Sequence, residues 1–279
     1  MGIARPTSLD GALAALGEHP QAVVLAGGTD VMVDVNFGRR RPRHVVALRR
    51  VEELSAHGID DRWVELGAGV TYGRIEAELA DELPALAAAS RTVGSPQIRN
   101  AGTIGGNLGT ASPAGDALPY LFAVDAEVVV AGPEGERALA IDDFVTGPKR
   151  TALGPGEVIR CVRFPRVRGP QEFCKIGTRN AMVISVAALA LVCDVDARRV
   201  RAAMGAVAPR PLRPRVAEDL ASEAIDWDAM TIPAEALEGF GAACAEAASP
   251  IDDHRSTSAY RRHGIGVLAR RALRRSLAR

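Results

Sequence analysis

Residues 22–30 read Ala22-Val23-Val24-Leu25-Ala26-Gly27-Gly28-Thr29-Asp30, an apolar, valine-rich run that ends on two glycines. The run predicts a strand, and the glycine pair predicts a tight turn whose amides are unshielded by Cβ. A second such segment, Ala101-Gly102-Thr103-Ile104-Gly105-Gly106-Asn107, follows a polar, helix-breaking stretch. Successive bare N–H groups beside a hydroxyl, Thr29 or Thr103, suit a phosphate oxygen, and two such turns could clamp one pyrophosphate. Each Gly-Gly taken singly reads more readily as a plain turn than as a binding site, and only the two together make the readings even.

Around the first segment the pattern is mixed α/β. Strands are predicted at 22–26, 45–48 and 64–67, with an amphipathic helix at 72–79. A helix at 116–124 leads into a strand at 127–131, a hairpin turn at Gly132-Pro133-Glu134-Gly135, and a strand at 158–164. The basic, Gly/Pro-containing stretch 166–170 is the best candidate for a boundary. Beyond it, long β-patterns at 183–195 and 200–207 precede helical patterns at 234–248 and 256–277, an α+β layer with helices on one face.

With 279 residues, 47% of them hydrophobic, the chain can bury real cores. Lys+Arg and Asp+Glu both number 34, so no global field draws it to nucleic acid or an anionic membrane. The longest apolar stretch, 181–192, is interrupted by Ser185 and falls short of the roughly 20 residues a membrane helix needs. Cys161, Cys174, Cys193 and Cys244 form no C-x-x-C pair and follow no secretory signal, so the expected address is the cytoplasm.

The five histidines show no metal-ligand spacing, and no G-x-S-x-G elbow is present. Any redox chemistry must therefore be carried by a cofactor. Neither glycine segment matches G-x-G-x-x-G or G-x-x-x-x-G-K-[ST], which disfavours a Rossmann fold and a P-loop.

Both segments, A-G-G-T-D and R-N-A-G-T-I-G-G-N, resemble the pattern of the flavin subunits of molybdenum hydroxylases of the xanthine dehydrogenase and carbon monoxide dehydrogenase type. The likeness continues in L-G-T-A-S-P-A-G-D, in F-C-K-I-G-T-R-N-A-M-V-I-S-V (residues 173–186), in G-A-V-A-P-R-P-L-R (205–213) and in S-T-S-A-Y-R-R-H (256–263). The resemblance implies an α+β fold: a two-lobed FAD-binding domain of the vanillyl-alcohol-oxidase (PCMH) type over 1–169, with lobes of roughly 1–55 and 56–169. A smaller α+β C-terminal domain over 170–279 follows.

The same resemblance implies a noncovalent FAD site, since no His or Cys occupies the A-G-G-T-D loop. Ala26, Gly27, Gly28, Thr29 and Asp30, flanked by Leu25 and Val31, and Thr103, Ile104, Gly105, Gly106 and Asn107 would grip the pyrophosphate through main-chain amides, with side-chain bonds from Thr29 and Asn107. Thr110 and Ser112 lie in the continuation of the second motif; Asp116 would face the ribose of the adenosine half. Val93 and Ile159 would make apolar contacts near the adenine, and Lys175 would approach the isoalloxazine side and favour negative charge there. Read without the family, Asp116 caps a helix beginning at Ala117 and Lys175 is a solvated strand residue. The chain departs from carbon monoxide dehydrogenase relatives at Thr29 and Asn107, where His and Asp are frequent, and lacks the cysteine-rich insertion of some relatives.

The function implied is that of an FAD-binding electron-transfer subunit. A large partner would carry the molybdenum cofactor and a small partner the [2Fe–2S] clusters, in a dimer of heterotrimers, with NAD, a quinone or dioxygen as acceptor. The rivals are a self-sufficient flavin oxidase, weakened by an aromatic content of only 4%, and a non-catalytic assembly protein whose Gly-Gly loops are structural.

Overall fold

Three parallel strands, β1 (Gly2–Ala4), β2 (Val23–Leu25) and β3 (His44–Ala47), open the chain in the order β1-β3-β2. Parallel partners need crossovers, supplied by α1 (Leu9–Glu18) and α2 (Val31–Asn36). Ser8 caps α1 by accepting the Gly11 amide, and the helix buries Ala12 and Leu16 in one cluster with Val46. The structure is a computed structural model and describes residues 2–278.

A five-stranded antiparallel sheet follows, assembled from β4 (His57–Ile59), β5 (Trp63–Gly67), β6 (Glu127–Gly132), β7 (Gly135–Ala140) and, after a small ribbon of β8 (Val145–Gly147) and β9 (Arg150–Thr151), β10 (Val158–Pro165). Its order is β4-β5-β10-β6-β7. The 132–135 turn closes the β6–β7 hairpin, with Gly132 opposite Gly135. Between β5 and β6 run α3 (Tyr72–Glu78), α4 (Pro84–Arg91), α5 (Pro96–Ala101), α6 (Ile104–Thr110) and α7 (Leu118–Ala123); α8 (Ile141–Phe144) precedes β8.

The second glycine segment is not a turn, as the sequence suggested, but a helix junction. α5 ends at Ala101, and Thr103 restarts the chain as α6 by accepting the Gly106 amide on Oγ1 at 2.9 Å. The local signal was a Thr N-cap followed by small residues, which Gly-Gly obscures because glycine disfavours helix interiors. Its use here is close approach: a Cβ on Gly105 would lie 2.4 Å from that of Ala68.

The last sheet, β11 (Gln171–Ile176), β12 (Ala187–Asp194) and β13 (Arg199–Gly205), is antiparallel, and α9 (Arg215–Ala224), α10 (Ala234–Ala247) and α11 (Ser258–Leu277) follow it. Side chains alternate across a strand. Ala188, Ala190 and Val192 accordingly join the core of the preceding lobes, while Ala187, Leu189, Leu191 and Cys193 join the core under α9–α11. Helices therefore cover both faces, with α4 and α7 on the far side, rather than one face as expected. A continuous apolar run is the mark of a strand buried on both sides.

The β-pattern expected from 183 becomes a strand only at Ala187. Met182 adopts a left-handed φ of 49°, Arg179 Nε donates to Ala181 O at 3.0 Å, and Val183 packs onto Gly177 so closely that a Cβ there would lie 2.2 Å from Val183 Cγ1. Residues 177–186 thus fold back as an irregular segment and leave Met182 and Ile184 exposed. No helix among the described residues is long and apolar enough to cross a membrane.

Candidate functional site

A cleft of about 840 Å³ runs between the parallel sheet and the larger lobe, within the range that holds small-molecule cofactors. The strand β2 delivers the first glycine segment to its wall: Ala26, Gly27, Gly28, Thr29, Asp30 and Val31 all line it. From the other side come Thr103, Gly105, Gly106, Asn107, Thr110 and Ser112. The two segments touch. A Cβ on Gly27 would sit 1.8 Å from the carbonyl oxygen of Ala101 and 2.9 Å from the amide nitrogen of Gly102, so only glycine permits this backbone-to-backbone contact. Thr110 Oγ1 also donates to Asp30 Oδ2 at 3.3 Å, strapping one segment to the other.

The segments differ in what they offer. Among the described residues, the Gly27, Gly28, Thr29 and Asp30 amides have no internal acceptor. Gly28 holds a φ of 74°, which lets the backbone turn at the cleft wall. In the second segment the amides of 104–107 are taken: Ile104 donates to Val70 O at 3.0 Å, Gly105 to Ala68 O at 2.9 Å, Gly106 to Thr103 Oγ1 and Asn107 to Thr103 O at 3.0 Å. This segment, expected to grip the pyrophosphate through those amides, holds four of them on protein acceptors, two in the 68–70 segment and two at Thr103. It presents instead the Asn107 side chain, whose buried Oδ1 has no partner. Replacing Thr103 by Val removes the α6 cap and is expected to cost about 1 kcal/mol, read as a shift in urea midpoint; an unchanged midpoint would show that the cap is idle.

Asp116 and Lys175 also depart from expectation. Parity in β11 turns Lys175 to the same face as Phe173, toward the larger lobe, since Cys174 between them faces α9–α11. There Lys175 Nζ lies 2.5 Å from Asp116 Oδ2 and 3.3 Å from Thr92 O. Ser185 Oγ donates to Asp116 Oδ1 at 2.6 Å and Thr92 Oγ1 to Oδ2 at 3.0 Å. Both ionic side chains are buried, 8% and 7% exposed. Burial pushes the Asp116 carboxyl above its usual range against the pull of Lys175 and the two hydroxyls. The expected ribose and isoalloxazine contacts thus fall on two residues that touch each other. Nor is Lys175 a free cation or a solvated residue: it lies behind Asp116, outside the cleft lining, with its charge compensated. Asp116 is not the cap of α7 either, whose N-cap is Ala117.

Val93 and Ile159 line the cleft, whereas Leu25 and Ile104 do not. Leu25 supports Gly28 from below, and Ile104 is fully buried in the core. The sequence reading missed Tyr72, Lys149 and the 182–184 overhang, all cleft-lining. Tyr72 was hidden as the first residue of an amphipathic helix; its buried hydroxyl has no partner, and burial together with Asp116 pushes its phenol upward. All four cysteines are free and buried, and burial pushes Cys161 and Cys193 up to about 12, which leaves them unreactive at neutral pH.

A cleft of this size, a run of unpaired amides on one wall and an orphaned side-chain acceptor on the other fit a dinucleotide. Residues 1–167 match the family described as the FAD binding domain in molybdopterin dehydrogenase, and residues 172–276 match the CO dehydrogenase flavoprotein C-terminal domain. The chain is 30% identical to the xanthine dehydrogenase FAD-binding subunit of Escherichia coli O157:H7, covering 98% of this chain and 95% of that one. It is likewise 30% identical to the carbon monoxide dehydrogenase medium chain of Afipia carboxidovorans, over 99% and 96% of the two chains. The solved structure of reconstituted CO dehydrogenase from Oligotropha carboxidovorans superposes with a TM-score of 0.90 at 28% identity, covering 100% of this chain and 98% of that one. By fold, by cleft and by sequence over nearly its whole length, the chain belongs to the FAD-binding subunits of the molybdopterin dehydrogenases, oxidoreductases of the xanthine and carbon monoxide dehydrogenase type.

Proposed function

We propose that the cleft holds one FAD noncovalently and that the chain is the electron-output subunit of a cytoplasmic heterotrimer. The observation that carries this reading is the Gly27 contact with Ala101 and Gly102, which brings both glycine segments to one site while leaving the 27–30 amides unpaired. Those amides would hold the diphosphate, and the Asn107 amide would meet a polyol hydroxyl. Val93 and Ile159 would exclude water from apolar ring surface. The Asp116–Lys175 pair would orient the neighbouring end of the cofactor without adding net charge to it. When bound, FAD supplies an exchange between one-electron and two-electron carriers.

The partners in this reading are a large subunit with the molybdenum cofactor and a small subunit with [2Fe–2S] clusters, arranged as a dimer of heterotrimers, with NAD as the acceptor. Relatives named as a FAD-binding subunit and as medium chains support a multi-subunit setting. The cofactor-binding and C-terminal units would divide near residue 169, where Gly169 with a φ of 130° passes so close to β12 that a Cβ would lie 2.1 Å from Cys193 O.

The test is purification together with both partner subunits. One flavin per copy of this chain, with molybdenum and iron in the complex and flavin-dependent NAD reduction, is the expected result. A chain that carries no flavin either alone or in the complex would overturn the assignment, and electron delivery to a quinone but not to NAD would overturn the acceptor.

A further inference from the structure

Helix α2 buries none of its six residues. At about 100° per residue, Met32 and Val33 share its outer side with Phe37, the residue that caps its C-terminal end, exposed by 44%, 44% and 71%. Val31 and Asp34 lie on the opposite side and line the cleft, so a cofactor seated there leaves the outer face uncovered. Scattered apolar residues on a surface are ordinary; three on one side of a two-turn helix are a patch.

A run of four arginines, Arg39, Arg40, Arg41 and Arg43, continues from the end of α2. Arg39 stacks over the Phe37 ring at 5.1 Å and reaches Asp34 at 3.8 Å. Among the described residues, Arg40, Arg41 and Arg43 have no carboxylate partner. Because the whole chain is formally neutral, this positive field is local, and it would steer a partner that carries carboxylates around an apolar centre. Arg40 also lines the cleft, so patch and cleft rim are continuous. Electron transfer weakens steeply with distance, and a donor bound on this patch would stand beside the cleft.

We infer that the outer face of α2 and the Arg39–Arg43 run form the docking surface for the small iron–sulfur subunit, through an acidic surface with an apolar centre. The inference rests on the function proposed above and adds to it a location. Phe37 is the anchor, Met32 and Val33 widen it, and the arginines set orientation and association rate.

The test uses the full chain and the isolated iron–sulfur subunit, with Phe37→Glu in one variant and Arg39→Glu with Arg41→Glu in another. Flavin content per chain is expected to stay at the wild-type value. Affinity for the iron–sulfur subunit is expected to fall at least about 10-fold in each, the arginine effect shrinking as salt rises. A photoreactive group attached through Phe37→Cys is expected to cross-link to the iron–sulfur subunit in the assembled complex. Wild-type affinity in both variants, or cross-links to the molybdenum subunit or to a second copy of this chain, would overturn the docking surface and leave the flavin assignment standing. Failure of the wild-type chain to bind any iron–sulfur subunit would overturn both the docking surface and the electron-output role proposed above.

Discussion

Gly27→Ala is expected to yield a chain that purifies colourless and less stable. The added methyl would lie 1.8 Å from Ala101 O and 2.4 Å from its carbonyl carbon, backbone atoms that no rotamer change can move. Either β2 or the α5–α6 junction must retreat, and the contact that joins the two walls of the cleft opens. Overpacking in a close-packed region costs about 1–3 kcal/mol, and a clash with main chain stands at or above the top of that range. Gly17→Ala is the control: nothing lies within 4 Å of the place its methyl would occupy on α1, and alanine favours a helix. The checks are flavin absorbance per chain and the urea midpoint. A yellow Gly27→Ala chain with the wild-type midpoint would show that the two segments do not need to touch.

Lys175→Met is expected to destabilise the chain by about 3–5 kcal/mol, the usual cost of stranding one member of a buried ion pair. Asp116 would be left with the hydroxyls of Ser185 and Thr92 in a site that already raises its carboxyl. Combining Lys175→Met with Asp116→Asn removes the stranded charge and is expected to recover part of the loss, so the two changes will not add. Urea titration of both single variants and the pair gives the coupling. Strict additivity would mean that the carboxylate and ammonium are solvated separately and that the site is not a closed network.

The architecture was legible wherever a period was clean. The strand before Gly27, the β6–β7 hairpin at 132–135 and the long helix 258–277 all lie within a few residues of where alternation, turn residues or length placed them. Errors arose where tertiary contacts chose between equal local options. Thr103-Ile104-Gly105-Gly106 reads as a turn until Ala68 presses on Gly105 and makes glycine a packing requirement inside a helix. Residues 183–186 are β-branched and apolar apart from Ser185, like a strand, but are diverted by the fold-back over Gly177. In the cleft, the first glycine segment could be read from its own residues. The Asp116–Lys175 contact could not, because it joins residues 59 apart in sequence through strand parity and helix placement.

Strand β12 leaves almost no slack between its neighbours. Odd-numbered side chains from Ala187 to Cys193 answer to one core and even-numbered ones from Ala188 to Val192 to the other. A methylene added on either side cannot be absorbed by translating the strand, since relief on one face becomes crowding on the other. Divergence at these positions is therefore confined to volume-conserving exchanges or to compensating pairs that straddle the sheet. The helical layer at the C-terminal end and the flavin lobes are in this way obliged to change together, even though no cofactor contact need come from the helices.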